Sequence, residues 1–110
     1  MADVMIDVVG LRATTTLNKI NELLGKTPGD QSLQGCKTEY TMLVGSFVPA
    51  AKSVIYTSKH QDAGKLMHDI PDAVGRLCED KFGGSSPITD FNSGVTIVAG
   101  IAEAIIGQLG

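Results

Sequence analysis

The sequence predicts an all-α fold, an up-down-up-down antiparallel four-helix bundle with one disulfide. Three observations predict it. Apolar residues recur at alternating steps of three and four along most of the 110-residue chain, which is the period of an amphipathic helix and not the two-residue period of a strand. Polar or Gly/Pro-rich breaks separate the periodic stretches: Thr27-Pro28-Gly29-Asp30, Thr57-Ser58-Lys59-His60-Gln61 and Gly83-Gly84-Ser85-Ser86-Pro87. The two cysteines, Cys36 and Cys78, lie at equal distances from the middle break.

Met1 to Gly25 reads as the first helix, with Ile6, Val9, Ala13, Leu17 (or Thr16), Ile20 and Leu24 as its stripe and Gly25 as its C-terminal stop. Gly10 and the Thr14-Thr15-Thr16 run weaken it locally. Across Lys26 to Gln31, Pro28 sets φ and Gly29 permits a positive φ, so the chain turns. A second helix is expected from about Gln31 to Thr57 along Leu33, Cys36, Tyr40, Leu43, Phe47, Ala51 and Val54. Pro49 removes one backbone hydrogen bond and should kink it near Gly45 to Pro49. The third helix is expected from about Gln61 to Asp80 along Ala63, Leu66 (or Met67), Ile70, Val74 and Leu77, with Pro71 posing the same problem. A plain break at either proline is the alternative.

Phe82 to Thr89 is a linker, and Thr89 (or Asp90) is the expected N-cap of a final helix. The stripe of that helix is Phe91, Val95, Val98, Ala102 (or Ile101), Ile105 and Leu109. Gly94, Gly100 and Gly107 each cost it up to ~1 kcal/mol relative to Ala. Close approach to another helix, or a small gap filled by a partner, would account for Gly100 and Gly107 sharing a face.

If the arms on either side of residue 57 fold back as helices, each rises about 1.5 Å per residue, and Cys36 and Cys78 arrive at the same height. That geometry favours a disulfide over two free buried thiols. It would close a loop of about 42 residues, for which the chain-entropy model gives ~4 kcal/mol. A paired-cysteine reading points to an oxidising compartment. Asp3 and Asp7 occupy what a signal peptide would need as basic and apolar ground. A secreted protein in mature or trimmed form is therefore expected, with a cytosolic chain as the competing explanation.

The length is that of one domain, residues 1–110. A net charge of −3 with interspersed signs excludes a basic nucleic-acid stripe, and Glu103 interrupts the most apolar segment before it could span a bilayer. No cofactor or metal is expected: the cysteines lack C-x-x-C spacing, and His60 and His68 belong to no zinc or triad pattern. Asp69/Asp72 and Glu79/Asp80 read as a solvated helix face and a helix end, and Gly83-Gly84 lacks the Lys-Ser/Thr of a phosphate loop. No catalytic constellation emerges, so the chain reads as a non-enzyme.

Several segments resemble plant invertase and pectin methylesterase inhibitors. Cys78-Glu79-Asp80-Lys81-Phe82, Ser86-Pro87-Ile88-Thr89, Asn92 and Ile101-Ala102-Glu103-Ala104-Ile105-Ile106 are similar to the C-terminal half of that family. Leu33-Gln34-Gly35-Cys36-Lys37-Thr38-Glu39-Tyr40 resembles the start of its second bundle helix, and Ala13 to Leu24 the end of the first. The family's N-terminal helical hairpin with its own disulfide has no counterpart in this sequence. Leu77 stands where the family has Thr, and Ser58-Lys59-His60 where invertase-directed members have Pro-Lys-Phe.

The resemblance implies a four-helix bundle with a Cys36–Cys78 bridge. It also implies a stoichiometric, non-covalent inhibitor that covers a cell-wall enzyme's substrate cleft with its second and third helices. Pectin methylesterase ranks ahead of acid invertase as the expected partner because Pro-Lys-Phe is missing. Lys52, Thr57, Lys59, His60, Asp62 and Lys65 are the candidate contacts, being polar and close to the inter-helix turn. His60 in such a contact would make affinity vary between about pH 5 and 7. The competing readings are a non-inhibitory pollen or seed protein of allergen type, and a small-ligand carrier using space near Gly94, Gly100 and Gly107.

Overall fold

The computed structural model describes residues 2–56 and 60–108, with side chains for 3–55 and 61–108. All regular structure among the described residues is helical. Helix α1 (Ala2–Lys26) is followed by α2 (Gln31–Met42), a π-helical turn (Leu43–Phe47) and α3 (Val48–Tyr56). After these come α4 (His60–Leu77), a 3-10 turn (Glu79–Phe82) and α5 (Thr89–Gly107). Because α2, the π turn and α3 follow one another without a break, they form a single second rod, and four rods result. α1 packs on α5 and on the second rod, and α4 packs on α5 and on the same rod from the other side. This is the cyclic order of an up-down-up-down bundle, 44 Å in its longest extent.

Most of the expected core is where the helical period puts it. Ile6, Val9, Ala13 and Ile20 are buried from α1, and Ala63, Met67, Ile70 and Val74 from α4. At the positions with two options, Thr16 and Met67 take the core while Leu17 and Leu66 lie half-buried beside it. Thr16 is tolerated inside because its hydroxyl donates to the carbonyl of Arg12 at 2.8 Å.

The first helix runs one residue past Gly25, to Lys26. Neither Gly25 nor Gly29 adopts a left-handed φ; only Gly83 (60°) and Gly84 (93°) do so among the described glycines. Hydrogen bonds supply the first turn instead. Asp30 N–H donates to the Thr27 carbonyl at 3.1 Å, and the Asp30 carboxylate accepts from Leu33 N–H at 3.0 Å to cap α2.

Pro49 does not break the second rod. Val48 N–H reaches the Leu43 carbonyl, an i→i−5 bond, and this widened turn immediately precedes the residue that has no N–H to give. One extra residue rotates the register by about 100°. Val48 therefore enters the core in place of the expected Phe47, which is left half-buried. α4 likewise continues through Pro71.

Two boundaries and one face differ from expectation. α4 ends at Leu77, not Asp80, because Cys78 leaves helical geometry at φ −128°, where its sulfur is tied to Cys36. α5 is flanked by Ile88, whose N–H donates to Ser86 Oγ at 3.1 Å, while the Thr89 hydroxyl is engaged elsewhere and caps nothing. The buried face of α5 is Asn92, Val95, Ala99, Ala102 and Ile106, one residue beyond the expected Phe91, Val98 and Ile105. The larger apolar residues sit half-buried at its flank, and Leu109 lies outside the described residues.

The Cys36–Cys78 disulfide forms, with a Cα–Cα distance of 4.5 Å and a sequence separation of 42. Reduction, or Cys36→Ser with Cys78→Ser, should lower unfolding stability by ~4 kcal/mol, read from denaturant midpoints with and without reductant. Unchanged midpoints would show that the bridge constrains little.

Candidate functional site

Two places in the bundle carry chemistry, one at each end. At the disulfide end, the buried Tyr40 hydroxyl donates to Asn92 Oδ1 at 2.6 Å, across the core from α2 to α5. Asn92, 3% exposed, donates through Nδ2 to Glu79 Oε1 at 2.7 Å and approaches Cys78 Sγ at 3.5 Å. The other Glu79 oxygen accepts from the Thr89 hydroxyl at 2.7 Å. One carboxylate thus ties the turn after α4 to the start of α5, and one amide ties both to α2. Glu79/Asp80 do lie at a helix end, just past Leu77, where Asp80 is exposed and Glu79 is half-buried and fully engaged.

The electrostatics follow from these contacts. Partial burial pushes the Glu79 carboxyl up, but hydrogen bonds from Thr89, Asn92 and Ser86 outweigh it and hold the group below the usual glutamate range. Burial pushes the Tyr40 phenol well above its ordinary value, so it remains a donor. Glu39 on α2 is the opposite case. It is 7% exposed and makes no hydrogen bond or ion pair among the described residues. Burial raises its pKa, with the Arg76 charge pulling weakly the other way.

At the other end, α4 and α5 leave an open furrow of about 550 Å³ lined by Gln61, Gly64, Lys65, His68, Glu103, Ile106 and Gly107. His68 Nδ1 and Glu103 Oε2 meet across it at 2.8 Å. That pair links residues 35 apart, and no single motif announces it.

Of the six candidate contact residues, Lys52, Asp62 and Lys65 have described side chains. Lys52 on α3 is turned toward α1, where its ammonium pairs with Asp7 at 2.8 Å. Asp62 and Lys65 are exposed on the first turns of α4. Thr57 and Lys59 lie outside the described residues, and of His60 only the backbone, which begins α4, is described. Asp69 and Asp72 form no acid–base pair, since Asp72 engages the Arg76 guanidinium at 3.2 Å on the surface. Among the described residues no group of three or more His, Cys, Asp or Glu could hold a metal ion. None of their helices is long and apolar enough to cross a membrane. Nor does Gly100 or Gly107 serve close helix contact: a Cβ at either would meet nothing within 4 Å.

An all-α bundle clamped by a Cys36–Cys78 disulfide is the arrangement that the family resemblance implied, and the polar knot at Glu79 and Asn92 is added to it by the structure. The chain is 30% identical to the cell wall / vacuolar inhibitor of fructosidase 1 of Arabidopsis thaliana, over an alignment of 108 positions. The resemblance to the inhibitor family holds. That alignment covers 96% of this chain and 51% of the relative, so the chain spans about half the length of the curated protein it matches. The relative's name is that of an inhibitor and not of an enzyme, in keeping with the non-enzyme reading. No family model matches the chain, and no solved structure does.

Two measurements check this description. Asn92→Ala leaves the Tyr40 hydroxyl buried without an acceptor and should cost ~1–3 kcal/mol. Tyr40→Phe should then cost less in the Asn92→Ala background than in the wild type, and equal costs in the two backgrounds would mean the bond contributes nothing. The carboxyls predict opposite pH slopes. The depressed Glu79 group contributes stability that is present above its unfolded value of 4.5 and is lost as pH falls through its lower folded value. The raised Glu39 group costs stability above its folded value, and the cost disappears as pH falls toward 4.5. Glu39→Gln should therefore stabilise at pH 7 and not at pH 4, and Glu79→Gln should flatten the acid limb of the stability profile.

Proposed function

We propose that this chain is a stoichiometric, non-covalent protein inhibitor of a plant fructosidase of the acid invertase type. Its site of action would be an oxidising extracellular or vacuolar compartment. The observation that carries the reading is the match, along nearly the whole chain, to an inhibitor of fructosidase. The physical setting suits it. A bundle stapled at one end presents preordered side chains, so little conformational entropy is lost on docking. The target's cleft is covered from the end of the bundle where the second rod gives way to α4, with Asp62 and Lys65 on the described part of that surface. Thr57, Lys59 and His60 complete it in sequence. Lys52 contributes from the margin while bound to Asp7.

Pectin methylesterase is the second reading, favoured by Ser58-Lys59-His60 standing in place of Pro-Lys-Phe. The relative's specificity puts the fructosidase first. A titration separates the two. Increasing amounts of the oxidised protein are added to a plant acid invertase and, separately, to a plant pectin methylesterase. Invertase activity should fall linearly to a one-to-one equivalence and return on dilution, with pectin methylesterase little affected. Inhibition of pectin methylesterase alone would reverse the order, and full activity of both enzymes under molar excess would remove the inhibitor reading.

A further inference from the structure

Cys36 and Cys78 are both fully buried, so the closed bundle offers a reagent no path to their bond. A cleft of about 310 Å³ between α4 and α5, at the disulfide end, comes close to it. Its lining includes Gly75 of α4, Glu79 of the 3-10 turn, and Thr89, Asn92 and Ser93 of α5. Asn92 is the partition: it lines the cleft, and its amide nitrogen is 3.5 Å from Cys78 Sγ. We propose that the bridge is a gated redox site, which a low-molecular-weight thiol reduces from this cleft when the Asn92 side chain swings aside, with the bundle still folded.

The gate is one side chain held by partners on two other elements. The Tyr40 hydroxyl of α2 donates to Asn92 Oδ1 at 2.6 Å, and Asn92 Nδ2 donates to Glu79 Oε1 at 2.7 Å. Rotating the side chain breaks these bonds but not the backbone bond from Asn92 N–H to the Ile88 carbonyl at 2.9 Å. Opening therefore costs a few side-chain hydrogen bonds, which is far less than separating the helices. The cleft has room for a visitor, since a Cβ on Gly75 would meet nothing within 4 Å. On the α2 side the helices are closer, with a Cβ on Gly35 only 3.8 Å from the Leu77 carbonyl oxygen.

The chemistry is thiol–disulfide exchange. The thiolate of the reagent attacks Cys78 Sγ, the S–S bond breaks, and the Cys36 sulfur departs and takes a proton from water. A second thiol of the reagent then displaces Cys78 from the mixed disulfide. The products are two cysteine thiols and the oxidised reagent. Because the bridge joins α4 to α2, its reduction links the stiffness of the bundle to the thiol content of its surroundings. The inference concerns this chain alone and holds whichever enzyme it inhibits.

The test follows reduction of the oxidised chain by excess dithiothreitol at fixed pH, with new thiols alkylated and counted by mass. It is run in water and in urea below the unfolding transition. The wild-type rate should rise with thiol concentration and stay nearly flat in urea, since a local opening exposes little surface. Asn92→Ala should speed reduction by roughly ten- to hundredfold through loss of the latch. Gly75→Leu, which fills the cleft, should slow it several-fold. Ile6→Val, in the α1 core, lowers global stability and should leave the rate unchanged. A rate that climbs with urea at the full equilibrium slope, or a matching acceleration by Ile6→Val, shows that the bundle must unfold first and overturns the inference. A bridge that resists reduction until the unfolding transition does the same. Unchanged reduction of Asn92→Ala overturns the gate, and unchanged reduction of Gly75→Leu overturns the cleft as the route. Should Asn92→Ala not fold, the wild-type urea series and the Gly75→Leu rate decide the question.

Discussion

Cys78 is held twice, by a covalent bond to Cys36 and by its place between Leu77 and the tethered Glu79, and the rest of the bundle hangs from that junction. The disulfide joins α4 to α2. The Glu79 carboxylate joins the turn after α4 to Thr89 and Asn92 at the start of α5, and the Asn92 amide carries the connection on to Tyr40 of α2. Three of the four rods therefore meet at one end through bonds with defined geometry. Apolar packing alone would tolerate sliding or rotation of such rods, because many registers bury similar area. A buried amide with both ends satisfied tolerates far fewer.

The opposite end is built on different terms. Among the described residues its groups are charged and partly or fully exposed, as with His68 and Glu103 or Lys52 and Asp7. The second rod reaches that end through the π turn at Leu43–Phe47, which accommodates Pro49 and resets which residues face inward. The result is a rod pair fixed at one end and presenting polar side chains and an open apolar furrow at the other. That asymmetry suits the proposed non-covalent inhibitor, with order supplied at a distance and contact groups left accessible.

Much of the fold was legible in the sequence because helical periodicity is local. The stripes of α1, α2 and α4, the three breaks and the equal spacing of Cys36 and Cys78 about residue 57 all follow from counting. What was not legible required partners distant in sequence. On α5, Val95 and Ala102 are buried as expected, but Phe91, Val98 and Ile105, the more apolar choices, give way to their neighbours Asn92, Ala99 and Ile106. Asn92 is nonetheless buried, since Tyr40 and Glu79 complete its hydrogen bonds from 52 and 13 residues away. Phe47 lost its place to Val48 because a π turn adds one residue, which no apolar count foresees. Of the candidate site, the polar positions on α4 were legible, whereas the Lys52–Asp7 pair and the furrow under His68 and Glu103 depend on which helices become neighbours.

The central claim is that order in this bundle originates at the Cys78 junction and declines toward the far end. Native-state hydrogen exchange, resolved by residue, tests it most directly. The account predicts the slowest exchange in the second and third turns of α2, the last turns of α4 and the first half of α5. Amides of α3, the start of α4 and the end of α5 should exchange faster. Replacing Asn92 by Ala should erase much of that gradient while the helices remain. Uniform protection along all four rods, or slowest exchange beside the furrow, would contradict it.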